Sequence, residues 1–181
     1  MPDPAAMTNH FKAQVRSLLA NGYSIVLIRK GEKRPAIEAW QKARLGIGDL
    51  DRYPDCGVGV LCGHGAHPIV GIDIDVSHPA ISAALIAWCQ EHLGPAHERV
   101  GAAPRVRLAY RANESGWAKG NSTRFFDAAD PVKLNGKTNH QQVEVLGIGQ
   151  QFVAYHEHPD TRHDLSGSTC WAAWSSSARP A

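Results

Sequence analysis

At 181 residues, with 43% apolar and 20% charged residues, the chain has the mass and composition of one folded domain with a real core. Its formal net charge of +2 is too small to announce a nucleic-acid partner by itself. No apolar run approaches a membrane span, and the start Met-Pro-Asp-Pro lacks the basic-then-apolar form of a signal peptide, so the expected compartment is the cytoplasm, with no membrane contact. Residues 1–8 read as a disordered lead. From Asn9, the residues Phe11, Val15, Leu18 and Leu19 fall at helical spacing, and Asn21-Gly22 supplies a stop. Tyr23 to Ile28 reads as a buried strand. It runs into the basic turn Arg29 to Pro35 and then into a short helix through Trp40 and Ala43. Asp49 to Tyr53 predicts a further helical turn.

Gly57-Val-Gly-Val-Leu-Cys-Gly63 reads as a strand with close backbone approaches, which would let another chain or a nucleotide lie against Gly57 and Gly59. A dinucleotide fingerprint is excluded, because that motif must open a helix and here a short turn leads to a second strand. The expected arrangement is a hairpin. Cys56, Cys62, Cys89 and Cys170 contain no Cys-x-x-Cys pair and read as reduced thiols, while Cys56, Cys62, His64 and His67 crowd one turn in a spacing that matches no familiar zinc knuckle.

The second strand, Ile69-Val-Gly-Ile-Asp-Ile-Asp75, alternates aliphatic residues with Gly71, Asp73 and Asp75, so both carboxylates emerge on one face. Adjacent ionised carboxylates repel each other, and a hard divalent cation is the usual remedy. Solvated acids ahead of a helix would look the same at this level. Pro79 to His92 predicts that helix, with Ile81, Leu85 and Trp88 or Cys89 on its packed face, ended by Leu93-Gly94. Arg99 to Pro104 reads as a loop. Arg105 to Arg111 reads as a strand with Arg105, Arg107 and Ala109 on one face and Val106, Leu108 and Tyr110 on the other. Residues 112–140 look irregular. Gln141 to Leu146 is a strand with Glu144 turned away from Val143 and Val145, followed through Gly147-Ile-Gly149 by the short strand Gln151 to Tyr155. The span 9–174 is then one domain, and Ser175 to Ala181 reads as a linker-like tail.

Between Arg99 and Lys137 stand eight basic residues (Arg99, Arg105, Arg107, Arg111, Lys119, Arg124, Lys133, Lys137) against three acids (Glu114, Asp127, Asp130), a local excess of the kind that attracts phosphates. Lys33 and Arg34, in the turn after the first strand, either join that patch or keep a loop soluble.

With Asp73, Asp75 and Glu144 on strands, and in this order with the other stretches, the sequence resembles the bifunctional DNA primase/polymerase (prim-pol) domain of the archaeo-eukaryotic primase superfamily. The stretches that carry the resemblance are Tyr23 to Ile28, Lys33-Arg-Pro35 up to Trp40, Gly57 to Gly63, and Gly71-Ile-Asp-Ile-Asp75. Arg99 to Arg105 with Tyr110-Arg111, Val143 to Gln150, and His158-Pro-Asp-Thr161 complete it. The resemblance implies an α+β fold: an RRM-like mixed sheet carrying the acids, a smaller N-terminal α/β unit packed across it, and a cleft between them. It implies that Asp73, Asp75 and Glu144 hold Mg²⁺ or Mn²⁺ and serve template-directed transfer of a nucleotide to a 3′-hydroxyl. Implied partners are a DNA template and primer, nucleoside triphosphates and, in the intact protein, a helicase domain beyond the tail. Lys33, Arg34, Arg99, Arg111, Lys119 and Arg124 are the expected nucleic-acid contacts, and His158 a nucleotide or template contact. The middle motif departs from the family pattern, since Pro104-Arg-Val-Arg-Leu108 has no phosphate-binding histidine. Either Arg105 or Arg107 takes that role, since a guanidinium is a fixed fork of donors, or catalysis is altered. A non-catalytic nucleic-acid-binding module of a larger replication protein is the alternative reading, and a metal-dependent nuclease a third.

Overall fold

The computed structural model describes residues 4–53, 55–65, 67–112, 117–121, 133–134, 137–138 and 141–155. The chain opens with helix α1 (Pro4–Ala20), which starts five residues ahead of the sequence expectation. Residues 4–8, read above as a disordered lead, are therefore helical. Proline is tolerated in a first helical turn and the two alanines after it are strong helix formers. Val15 and Leu18 of α1 are fully buried against strand β1 (Tyr23–Ile28).

The basic turn after β1 is a tight loop. Arg29 N–H donates to the Arg34 carbonyl at 2.9 Å, and Ile28 bridges Pro35. No helix follows through Trp40 and Ala43. Ala39 has φ 50°, outside the right-handed helical region, and only isolated turn bonds form there, Lys42 N–H to Ala39 O and Ala43 N–H to Trp40 O. The helical turn expected over Asp49 to Tyr53 is a 3₁₀ turn that begins two residues earlier (Ile47–Arg52) and buries Leu50.

Strands β2 (Gly57–Gly65) and β3 (Ile69–Asp75) follow, and they do not form the expected hairpin. Strand β2 is sandwiched between β1 and β10 (Gln151–Tyr155) in a three-stranded sheet. Strand β3 is central to a second, five-stranded sheet, with β5 (Val106–Arg111) and β9 (Gln142–Leu146) on its two edges. All four edges are taken, so β2 and β3 have none left for each other. The turn achieves the change of sheet through Gly65, whose φ is 91° and whose absent Cβ would lie 2.5 Å from the Gly22 carbonyl oxygen. Gly59 does permit a close approach, but the neighbour is the chain itself: a Cβ there would meet the Phe152 carbonyl at 2.8 Å.

Helix α2 (Pro79–Leu93) covers one face of the larger sheet. Its packed side is Ser82, Leu85, Ile86 and Cys89, rotated from the expected stripe, and Ile81 and Trp88 are exposed. Beneath it lie Ile72, Ile74, Val76, Val106 and Leu108. The segment read as a loop from Arg99 contains the end of a strand, β4 (His97–Val100), which pairs with β5 and forms one sheet edge. The other edge is β6 (Gly120–Asn121), paired with β9, and β7 (Lys133–Leu134) and β8 (Lys137–Thr138) form a separate ribbon. The sheet order is β4-β5-β3-β9-β6. The result is an α+β fold of antiparallel sheets, in which the third strand of the smaller sheet, β10, comes from the C-terminal part of the domain.

The uncovered face of the larger sheet changes character along its strands. At one end Ile69, Ala109 and Leu146 join the main core with β1, β2, β10 and α1. Two residues further along, the same face turns ionic.

Candidate active site

Register alone assembles the site. On the face opposite α2, Asp73 lies directly between Arg107 of β5 and Glu144 of β9. Arg107 in turn pairs with Arg99 of β4, and Glu144 with Asn121 of β6. A single cross-strand row therefore runs Arg99, Arg107, Asp73, Glu144, Asn121 over all five strands. The next row carries Asp75 beside Gln142, with Arg105 just before β5 reaching back to it. The three predicted acids and the two arginines of the middle motif stand together, and Arg99 stands with them. Acids occupy β3 and β9 while guanidiniums occupy β5 and β4, so the face is electrically polarised from one edge to the other.

Both aspartates are paired. Arg107 Nη2 donates a short hydrogen bond to Asp73 Oδ2, and each side chain is only 21% exposed. The Arg107 guanidinium also lies 5.8 Å from the centre of the Phe152 ring, so β10 of the other sheet floors the row. Arg105 Nε sits 3.1 Å from Asp75 Oδ1, and the same guanidinium donates to Ser77 Oγ at 3.0 and 2.8 Å. Burial raises the Asp75 carboxyl above its ordinary pKa, Asp73 adds to the rise, and Arg105, Lys33 and Arg107 oppose it. Lys33 is thus close enough to be felt, and Gln151 Nε2 anchors its carbonyl at 3.0 Å, holding the basic turn beside Asp75. Glu144 is half-buried and has no ion pair among the described residues.

Arg99 is 8% exposed. Its guanidinium loses water and faces a second arginine, which together bring its pKa down to about 9, with Asp73 opposing. It was expected on a nucleic-acid surface and instead lies inside the row. Arg111 is also engaged within the fold, donating to the Tyr23 hydroxyl at 3.2 and 3.0 Å with its guanidinium 5.1 Å from that ring. Of the eight basic residues between Arg99 and Lys137, Arg105, Arg107 and Arg111 are thus spent on partners within the fold. Lys33, Arg34 and Lys119 are exposed, and Lys119 adjoins β6 at the acidic edge. Arg124 and His158 lie outside the described residues.

Sequence reasoning missed Ser77, Gln141 and Phe152. Gln141 is buried, and its Oε1 accepts the Ser77 and His78 N–H groups at 2.8 and 3.3 Å, fixing the exit of the Asp-x-Asp strand. No spacing rule links residues so far apart.

The donor set of hard carboxylate oxygens on neighbouring strands fits a divalent cation such as Mg²⁺ or Mn²⁺. Among the described residues, however, no three His, Cys, Asp or Glu side chains converge on one point. That holds for the acids, which Arg105 and Arg107 draw towards β5, and for Cys56, Cys62, His64 and His67, of which Cys62 is fully buried in the core. No helix is long and apolar enough to cross a membrane.

The sequence profile described as "Bifunctional DNA primase/polymerase, N-terminal" matches residues 16–172. The chain belongs to that family. A search of curated proteins finds no match. The prim-pol assignment carries with it a nucleotidyltransferase type of activity, acting with DNA and nucleoside triphosphates in DNA replication. It also matches the antiparallel α+β architecture described above.

Proposed function

We propose that this prim-pol domain carries out template-directed nucleotidyl transfer to a 3′-hydroxyl, using Asp73, Asp75 and Glu144 to hold Mg²⁺ or Mn²⁺, in replication of a phage, plasmid or prophage-like element. The observation that carries the reading is the cross-strand row in which Glu144 and Asp73 stand side by side with Arg107 and Arg99 beyond them. Two carboxylates in direct opposition are a standing electrostatic cost, and a site that binds cations is where a fold keeps such a cost. When bound, the divalent ions would supply a lowered pKa at the attacking hydroxyl and charge neutralisation at the phosphate.

The chain's own residues do the rest. Asp73 and Asp75 present oxygens from a strand fixed on both edges, so their positions are set by the sheet and not by a loop. Glu144 adds a third oxygen donor from the neighbouring strand. Arg107 and Arg105 are the middle-motif groups that take phosphate in place of histidine, being pre-formed forks of donors adjacent to the acids. Phe152 and Ser77 hold the two guanidiniums in place. Lys33, Arg34 and Lys119 are exposed cations at the margins of the row, suited to the backbone of template or primer. Positioning of the 3′-hydroxyl against the α-phosphate accounts for most of the acceleration in this chemistry.

The test is primer extension on a defined template with Mn²⁺ or Mg²⁺, comparing the wild-type chain with Asp73→Asn and Glu144→Gln. Loss of extension in both variants with retained DNA binding supports the reading. Salt-sensitive DNA binding with no product from the wild-type chain would replace it by a non-catalytic module, and shortening of the template would replace it by a nuclease.

A further inference from the structure

The polymerase reading leaves one group without a task. Arg99 sits on the edge strand β4, is 8% exposed, and its Nε has no hydrogen-bond partner among the described residues. The Nε of Arg107 is in the same condition. The two residues are direct cross-strand partners on one face, where side chains of opposed residues lie about 5 Å apart at Cβ. Asp73 is the carboxylate nearest in register, and it is already bonded to Arg107. Two adjacent guanidiniums, largely out of water, each with an unpartnered Nε and with one carboxylate, Asp73, in line with both, are costly to keep. Such a pair fits an oxyanion with several acceptor oxygens, since each guanidinium offers donors in a planar fork.

We infer that Arg99 and Arg107 together form the seat for the phosphate tail of the incoming nucleoside triphosphate, with Arg99 as the residue that reads its terminal phosphate. Direction follows from the polarity of the face. An anionic tail is repelled by Asp73, Asp75 and Glu144 on β3 and β9 and attracted along β5 towards β4, two strand spacings or about 10 Å away from the aspartates. Arg107 adjoins the acids and meets the nearer phosphates, and Arg99 meets the last. Arg99 is therefore a substrate-binding residue that separates triphosphates from shorter phosphates, and not a contact to the nucleic-acid backbone. This rests on the polymerase reading for the identity of the nucleotide, but the anion seat can be tested without it.

Inorganic triphosphate is titrated into the full chain in EDTA at fixed ionic strength, and heat of binding and melting temperature are followed for wild type, Arg99→Met, Arg99→Lys and the exposed control Arg52→Met. The wild-type chain and Arg52→Met should bind triphosphate and melt higher in its presence. Arg99→Met should bind at least tenfold more weakly, melt at or above wild type without ligand because a buried unpaired charge is gone, and lose the ligand-induced rise. Arg99→Lys should fall between, keeping charge and losing the fork. Affinity for pyrophosphate should drop less than affinity for triphosphate in Arg99→Met. Equal triphosphate binding by Arg99→Met and wild type overturns the inference, as does a lower ligand-free melting temperature of Arg99→Met, which would make Arg99 a structural ion. Primer extension by the wild-type chain is read separately: its failure with triphosphate binding retained would remove the polymerase reading and leave the anion seat standing.

Discussion

Glu144→Gln is the substitution in which function and stability should part company. Glu144 faces Asp73 across adjacent strands, and Asp73 already has Arg107 while Glu144 has no ion pair among the described residues. Like charges directly opposite on a sheet destabilise by about 0.2–1 kcal/mol, and the half-buried setting and the nearby arginine put this pair near the middle of that range, about 0.5 kcal/mol. Glutamine keeps the shape and removes the charge. The variant should therefore be more stable than wild type by about 0.5 kcal/mol, a rise in melting temperature of about 1–2 °C for a chain of this size. The gain should be largest at low salt, because the repulsion is screened as ionic strength rises. In primer extension the same variant should lose at least about a hundredfold, the lower range for removing a group that stabilises charge in the transition state. Added Mn²⁺ should raise the melting temperature of wild type more than that of Glu144→Gln, which links the two readouts. A variant that melts several degrees below wild type, or one that extends primers at the wild-type rate, would refute the reasoning.

Asp73→Ala should behave oppositely in stability, since it strands Arg107 beside Arg99. A fully buried pair broken on one side loses about 3–5 kcal/mol. At 21% exposure about 2 kcal/mol is expected, with at least half recovered in the double variant Asp73→Ala/Arg107→Met when both are unfolded in urea. His97 on β4 is buried, which brings its imidazole down to about 4 from 6.5. The neutral form is the one the fold keeps, so stability should be level above pH 6.5 and fall by about 3 kcal/mol as pH drops towards 4, where the unfolded chain takes up a proton that the folded one refuses. Denaturation curves across that window should flatten in His97→Gln. In Gly147→Ala the new Cβ would lie 2.2 Å from the Trp117 carbonyl oxygen and 2.6 Å from the Ala118 carbonyl carbon, so the turn that joins β9 to β10 must move. A loss of about 2–3 kcal/mol is expected in chemical denaturation.

The acid row was legible because β-strands have a period of two and antiparallel partners share faces. The alternation around Asp73 and Asp75, and that around Arg107 and Glu144, each placed the charged set opposite the aliphatic set, and the sheet kept those assignments. Pairing between strands was less legible. The Gly57–Gly65 and Ile69–Asp75 strands look like a hairpin because they are consecutive and joined by a glycine-rich turn, yet each spends both edges on partners remote in sequence. Strand β4 was invisible because His97-Glu-Arg-Val100 has no apolar alternation: its inward residues are His97 and Arg99, whose burial is set by the cluster they join. The same blindness turned Arg99 into a surface contact. Charge counting locates cations along the chain but not the acids that fold back onto them.

The ionic strip contains three guanidiniums (Arg99, Arg105, Arg107) and three carboxylates (Asp73, Asp75, Glu144), so its formal charges cancel without any ligand. That balance explains how a face so charged is compatible with folding. On the function proposed above it also shapes binding. Asp73 and Asp75 turn to a divalent cation only by leaving Arg107 and Arg105, and those guanidiniums, with Arg99 beside them, then lack an anion. A triphosphate alone meets the mirror problem, since it draws the guanidiniums off the aspartates and leaves three carboxylates together. Arriving as a pair, cation and triphosphate give the carboxylates and the guanidiniums new partners of opposite charge at the same time. The coupling is reciprocal by linkage, so whichever component binds first tightens the other by the same factor. On that proposal, a cross-strand row that is neutral as a whole and polarised along its length favours the metal–nucleotide complex over either part.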